Sequence, residues 1–335
     1  MVAQSYDLGD VPLQYGGTLP GARICFETHG TLNAAKNNVV LFPTWCAGNH
    51  EGPRYVIGKG RALDPARYFI IVVDIFGNGM SSSPSNTPAP FDRMRFPHIS
   101  LLDNVRLQRR LLHEYFGIDH IRLVVGRSMG AQQAFQWGAY YPDMVDAILA
   151  LAGSARTSPH NYVFLAALKL ALQSPVEWEG GDYAVNPEQS MRRFRLTADA
   201  WGFSQSFYRE GLHLDMGFDS TQDYLDRPGP YPFGDTNDLL AQIRSWESAD
   251  ISDNARFNKD FQAALRAITA RTIIMPSGTD LYFPPEDSAI EQAHMPNAEL
   301  RVMPSIWGHR GGSPGSDAAD IAFFETAIAE LLEDA

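Results

Sequence analysis

Residues Ile121–Val145 read IRLVVGRSMGAQQAFQWGAYYPDMV. An apolar, β-branched run enters Gly126-Arg127-Ser128-Met129-Gly130, and a segment rich in alanine and glutamine leaves it. No other stretch constrains the fold as strongly. A buried strand has to end, the chain has to turn sharply, and a helix has to start at once. Glycines two residues either side of the serine let strand and helix approach, where larger side chains would collide. The serine is held in a strained backbone conformation, and the first N–H groups of the helix are directed at its surroundings, favouring negative charge there.

The flanking pattern fits such a turn. NNVVLFPTW (Asn37–Trp45), YFIIVVDIFG (Tyr68–Gly77), IRLVVG and VDAILALAG (Val145–Gly153) are apolar runs too continuous for strands with one wet face, so both faces are expected to be covered. SLLDNVRLQRRLLHEYFG (Ser100–Gly117) repeats apolar residues at helical spacing and ends in glycine, and AQQAFQWGAYYP reads as a helix stopped near Pro142. Alternation of this kind predicts the α/β class, a mostly parallel sheet wrapped by helices. From Ser154 to Thr269 strand-like runs vanish. Helical patterns such as YVFLAALKLALQ alternate there with connections such as EWEGGDY and LDRPGPYPFGD. RTIIMPSGTD (Arg271–Asp280) and AELRVMPS (Ala298–Ser305) restore the strand pattern, and DAADIAFFETAIAELLE closes with an amphipathic helix. The expected organisation is a core of residues 1–153 and 270–335, with 154–269 inserted as a helical lid.

A chain of 335 residues accommodates one large domain with such an insertion. A formal net charge of -12 argues against nucleic acid or an anionic membrane as partner. No run approaches the roughly 18 apolar residues of a membrane span. MVAQSYDLGD carries neither a basic patch nor an apolar run, so no signal peptide is read. The two cysteines, Cys25 and Cys46, suit free thiols in the cytoplasm and give no sign of a disulfide scaffold or a zinc site. No metal or cofactor is expected.

Gly-x-Ser-x-Gly between a strand and a helix is the nucleophile elbow of the α/β-hydrolases. A serine hydroxyl needs a base, and in this fold its partners follow in the order serine, acid, histidine. Of the nine histidines, His294 and His309 lie in the C-terminal sheet-forming part. His294 falls at the end of a helix and reads as a surface residue. His309, in the glycine-rich loop SIWGHRGGSPG after the last strand, is the expected general base. Asp280, at the end of RTIIMPSGTD, is the expected acid, with Asp287 as runner-up; Asp287 reads instead as a first-turn helix residue. The N–H of Met129 is the expected first oxyanion donor. A second is expected from TWCAGNHEG, with the N–H of Cys46 preferred and Trp45 the alternative. The side chain of Cys46 reads as a small, oxidisable wall of the pocket.

With these residues placed, the chain resembles the homoserine O-acetyltransferase family. FETHGTLN (Phe26–Asn33) is similar to that family's YETWGTLN. ALDPARYFIIVVDIFGNGMSSSP, FPHISLLDNVRLQRRLL, VEWEGGDY, GTDLYFPPED and WGHR match further segments of it. The resemblance implies an α/β-hydrolase fold, a triad of Ser128, Asp280 and His309, a mostly helical lid and homodimers formed through that lid. The chain also departs from the transferases. Arg127 stands where they carry the glycine directly before the serine of GGSMGG, TWCAG replaces their HALTG, and GHR, with Arg310, replaces their GHD. Burying the ammonium of homoserine unpaired costs several kcal/mol, and an arginine in place of an amine-binding acid inverts the local charge. Arg127 is expected in the substrate pocket, with a salt bridge to a helix as the alternative; Arg310 reads either as a pocket residue or as solvated. Trp45 and Phe283 are expected to line a pocket for a small apolar group. The resemblance extends to esterases of the same family. The expected function is therefore a serine carboxylic-ester hydrolase acting on short-chain, acetyl-type esters, a small-molecule partner. The alternative is an acetyl-CoA-dependent O-acetyltransferase. Activity should fall as His309 protonates, with an apparent pKa near 6–7.

Overall fold

The computed structural model describes residues 3–226 and 234–333. Residues 227–233, within the polar connection LDRPGPYPFGD, lie outside the described residues. The strands are β1 (Gln4–Pro12), β2 (Thr18–His29), β3 (Val39–Pro43), β4 (Phe69–Val73), β5 (Ile121–Arg127), β6 (Val145–Leu151), β7 (Arg271–Met275) and β8 (Ala298–Leu300). They form a sheet in the order β1-β2-β4-β3-β5-β6-β7-β8. β1/β2 and β2/β4 pair antiparallel, and every pairing from β4 to β8 is parallel. Continuous apolar runs produce this arrangement because alternate residues face opposite layers. Val39 and Leu41 of β3 join one hydrophobic cluster, and Val40 and Phe42 join the other.

The helices are α1 (Leu101–Arg110), α2 (Met129–Tyr140), α3 (Pro159–Gln173), α4 (Glu188–Gly202), α5 (Gln205–Arg209), α6 (Leu212–Asp215), α7 (Thr221–Asp226), α8 (Thr236–Glu247), α9 (Phe261–Arg266), α10 (Pro285–Gln292) and α11 (Ala318–Glu333). Helices α3–α9 all fall between β6 and β7. α1 starts at a capping box in which Ser100 and Asp103 satisfy each other's backbone N–H. It passes into a π-helical turn, Leu111–Tyr115, before Gly117 adopts φ +62°. α2 is buried from Met129 to Ala139, and its glycines let it press on the sheet: a Cβ on Gly130 would stand 2.4 Å from the carbonyl oxygen of Pro43.

Two expectations need correction. The N-terminal β1–β2 hairpin is additional to the strands read from the sequence: its residues show neither a continuous apolar run nor a regular alternation, and each strand carries a glycine and a proline. AELRVMPS is not a full strand. β8 stops at Leu300: Pro276, on the partner strand's extension, has no N–H to give, and only its carbonyl oxygen keeps the contact by accepting from Met303 N–H (2.9 Å). Only an isolated bridge, Ser277 to Met303, follows.

Candidate active site

The parallel strands deliver their carboxyl ends to one edge of the sheet, and the loops there gather the residues singled out above. Ser128 sits between β5 and α2 with φ 54° and ψ −125°, a strained conformation for a residue with a side chain. Its N–H donates to Leu151 O (2.9 Å), and its carbonyl accepts from Gln132 N (3.1 Å), so the elbow is pinned to β6 and to its own helix. A Cβ on Gly126 would lie 2.1 Å from the carbonyl oxygen of Gly130, and one on Gly153 would lie 2.7 Å from that of Ser128. With the 2.4 Å approach of a Cβ on Gly130 to Pro43 O, the first of these contacts explains why glycine is needed on both sides of the turn, and the second why one is needed after β6.

His309 lies in the loop after β8, buried. Its Nε2 is 3.0 Å from Ser128 Oγ, and its Nδ1 is 2.9 Å from Asp280 Oδ2. The other carboxylate oxygen of Asp280 accepts from the N–H groups of Tyr282 (2.7 Å) and Phe283 (3.1 Å). With the carboxylate so oriented, the imidazole carries its proton on Nδ1 and leaves Nε2 free to accept from the serine hydroxyl. Burial holds the His309 imidazole below its ordinary value of 6.5; Asp280 opposes that shift, and Arg127 and Arg310 reinforce it. The acid limb of activity is accordingly expected lower than the sequence alone suggested. The alternatives weighed from sequence fall elsewhere: Asp287 is in the first turn of α10, and His294 follows that helix, half-buried.

The loop after β3 supplies the opposite wall. Among the described residues no group accepts a hydrogen bond from the N–H of Cys46 or Met129, whereas that of Ala47 donates to Gln242 Oε1 (2.9 Å). Desolvation pushes the Cys46 thiol up to about 12, so it stays protonated and is no competing nucleophile. Trp45 packs under this loop. Added Cβ atoms on Gly48 and Gly52 would come within 2.7 Å and 2.6 Å of its indole.

A cavity of about 60 Å³ opens over Ser128. Trp45, Cys46, Ala47, Arg127, Tyr282, His309 and Arg310 line it from the core, and Leu168, Phe194, Ala198 and Trp246 from the inserted helices. Among the described residues none of its lining side chains is a carboxylate. Phe283 is not part of this lining, contrary to expectation. It lies behind, stacked on Trp246 at 5.5 Å, and its neighbour Tyr282 faces the cavity and stacks on the His309 ring at 4.3 Å. Tyr282 was signalled only by its place beside Asp280; the four inserted-helix residues carried no local signal. Arg127 lines the cavity, the position preferred for it from sequence. It is buried, donates to the carbonyl oxygen of His309 (2.9 Å) and lies 5.3 Å from the Trp45 ring. Arg310 is half-buried, 5.8 Å from the Phe203 ring. It borders both the Ser128 cavity and a neighbouring one of about 400 Å³.

The chain matches the α/β-hydrolase fold family over residues 37–309. It is 38% identical to an ethyl acetate hydrolase of Pseudomonas veronii, covering 97% of this chain and 94% of that one. It is 31% identical to a homoserine O-acetyltransferase of Chlorobaculum parvum, over 91% and 88% of the two chains. Among solved structures, an acetylester hydrolase from Corynebacterium glutamicum superposes with a TM-score of 0.93 at 34% identity, covering 99% of this chain and 96% of that one. With this fold, this elbow and these relatives, the chain belongs to the α/β-hydrolase family, on the branch that holds esterases alongside the homoserine O-acetyltransferases.

Proposed function

We propose that this enzyme hydrolyses small carboxylic esters, acetyl esters foremost, through an acyl-enzyme on Ser128. The observation that carries the reading is the unbroken contact chain from Ser128 Oγ through His309 to Asp280, opening on a small cavity. Ser128 Oγ attacks the ester carbonyl while His309 Nε2 takes its proton, and the carbonyl oxygen becomes anionic between the N–H groups of Cys46 and Met129. Asp280 holds the imidazolium by Nδ1. The tetrahedral species collapses: the alcohol leaves with the proton from His309, and the acyl group stays on Ser128. A water molecule then gives a proton to His309 and attacks the acyl carbon. Collapse releases the carboxylic acid and returns the proton to Ser128. A cavity of about 60 Å³ suits an acyl group the size of acetyl.

The relatives named as transferases support a second reading, in which a bound alcohol replaces water as the acceptor and acetyl-CoA is the donor. The site's charge favours hydrolysis. A homoserine ammonium would meet Arg127 and Arg310 with no lining carboxylate to pair it, at a cost of several kcal/mol. Residues 154–269 act in this reading as a lid, since four of their side chains close the cavity. The homodimer belongs to the proposal too: Tyr162, Val163 and Leu170 leave an apolar stripe on α3 exposed at 52%, 65% and 67%. Two free thiols support a cytoplasmic location, and among the described residues no helix is long and apolar enough to cross a membrane.

The test is turnover of para-nitrophenyl acetate beside acetyl-CoA with homoserine. Hydrolysis by the wild type, lost by at least about 10³-fold in Ser128→Ala, is expected. Equal rates from the two proteins would sink the reading, and acceptor-dependent thiol release without ester hydrolysis would favour the transferase.

A further inference from the structure

A second cluster of titratable groups, unused by the chemistry above, lies under the loop that carries Cys46. His50 grips Asp74 twice. Its backbone N–H donates to Oδ1 (2.8 Å), and its Nδ1 stands 2.6 Å from Oδ2. Asn78 Nδ2 donates to the same Oδ1 (2.9 Å) and to the carbonyl oxygen of Gly48 (3.1 Å). Cys25 completes the cluster; its sulfur lies within 4.8 Å of the His50 and Asp74 ligand atoms, and all three residues are buried. The bond to Asp74, with Cys25 beside it, pushes His50 up to about 10, so its imidazole stays protonated at neutral pH.

The placement of this cluster gives it a task. The loop from Thr44 to His50 is tied at both ends to the close of β4 and the segment that follows it. At the near end Thr44 N–H donates to Val73 O (2.9 Å), and Thr44 Oγ1 accepts from Ile75 N (2.9 Å). At the far end the ties are those of Gly48 and His50. Between them Ala47 holds φ +59°, a conformation that a residue with a side chain keeps only when its surroundings impose it. Cys46, with its unoccupied N–H, sits in the middle of this clamped span.

We propose that the His50–Asp74 pair is a positioning device for the oxyanion loop, holding the Cys46 N–H on the substrate oxygen as that oxygen becomes anionic. The pair never touches substrate; it acts through the loop, and the inference rests on the esterase reading. A metal ion bound by Cys25, His50 and Asp74 is the rival occupant. Ligand atoms each about 2.0–2.3 Å from zinc in tetrahedral array stand more than about 3 Å apart. The 2.6 Å approach of His50 to Asp74 is instead a charge-assisted hydrogen bond.

The experiment compares wild type, His50→Gln, Asn78→Ser and Ser128→Ala on para-nitrophenyl acetate. It also measures inhibition by a small trifluoromethyl ketone, whose serine adduct carries the oxyanion. In His50→Gln, kcat should fall about 10–100-fold, with KM within about threefold of wild type and ketone affinity lost in parallel with kcat/KM. Asn78→Ser should show a smaller loss in the same quantities. A folded His50→Gln with full kcat, or with a loss confined to KM, overturns the proposal. Should His50→Gln not fold, Asn78→Ser decides, and unchanged kcat and ketone affinity overturn it. Stoichiometric zinc in the purified wild type, with chelation abolishing activity, also overturns it. Ser128→Ala separates the two levels: if it is as active as wild type the esterase reading falls, whereas if it is inactive and His50→Gln is fully active only this inference falls.

Discussion

Arg127, the residue before the nucleophile, ties together parts of the site that are far apart in sequence. Its guanidinium donates to the main chain of His309, packs against Trp45 of the oxyanion loop, and helps hold the imidazole below 6.5. Only neutral His309 can take the serine proton, so a cation beside it extends activity toward lower pH. Arg127→Met is expected to lower kcat by about 10–100-fold, because the His309 loop loses a tether. It should also shift the acid limb of kcat/KM upward, as one of the two nearby guanidinium groups is gone. Initial rates from mildly acidic to neutral pH check this; an acid limb that stays put contradicts it. The meeting of Ser128, Asp280 and His309 could be read in advance because the elbow has a local pattern and the fold fixes the order of the residues that approach it. Arg127 could be placed at the pocket but not tied to His309, since that acceptor lies 182 positions away. Phe283 and Tyr282 are adjacent, and only packing decides which of them faces the cavity.

The elbow as an element depends on the absence of side chains. Gly126→Ala would drive a Cβ to within 2.1 Å of a backbone carbonyl oxygen that cannot move without dragging α2. A loss of roughly 1–3 kcal/mol or more is expected in urea unfolding, with activity falling alongside. An unchanged unfolding midpoint would contradict the close approach. The glutamines that follow were conspicuous in the sequence but had no assignable role. Gln133 Nε2 donates to Thr44 O (2.9 Å), Gln108 Nε2 to Gln133 Oε1 (2.6 Å), and Trp137 Nε1 to Gln108 Oε1 (2.8 Å). This buried chain fastens α1 and α2 to the root of the loop after β3, and it is built mainly from partners distant in sequence, Gln133 alone also donating within its helix to Met129 O (3.3 Å). Buried parallel strands were legible for the opposite reason: β3 and β4 are apolar at every position, a pattern set by burial on both faces. β1 lies at the edge with β2 beside it, where pairing rather than composition defines the strand.

At the scale of the whole molecule, one sheet edge collects Ser128 after β5, Asp280 after β7, His309 after β8 and the Cys46 loop after β3, the four parts the proposed reaction needs. The inserted helices then close a cavity with two arginines and no lining carboxylate among the described residues. The same helices expose the α3 stripe. Light scattering is expected to give a dimer, and Val163→Glu combined with Leu170→Glu a monomer; a wild-type monomer at micromolar concentration would contradict that assembly. The central claim is that an acyl group passes through Ser128 on its way to water. The most direct measurement is mass spectrometry of enzyme quenched during turnover of an acetate ester, with peptide mapping. The expected result is one acetyl group on the peptide containing Ser128, absent in Ser128→Ala and lost from wild type once substrate is exhausted. Steady turnover with no acetylated Ser128 at any quench time, or acetyl found on Cys46 instead, would contradict it.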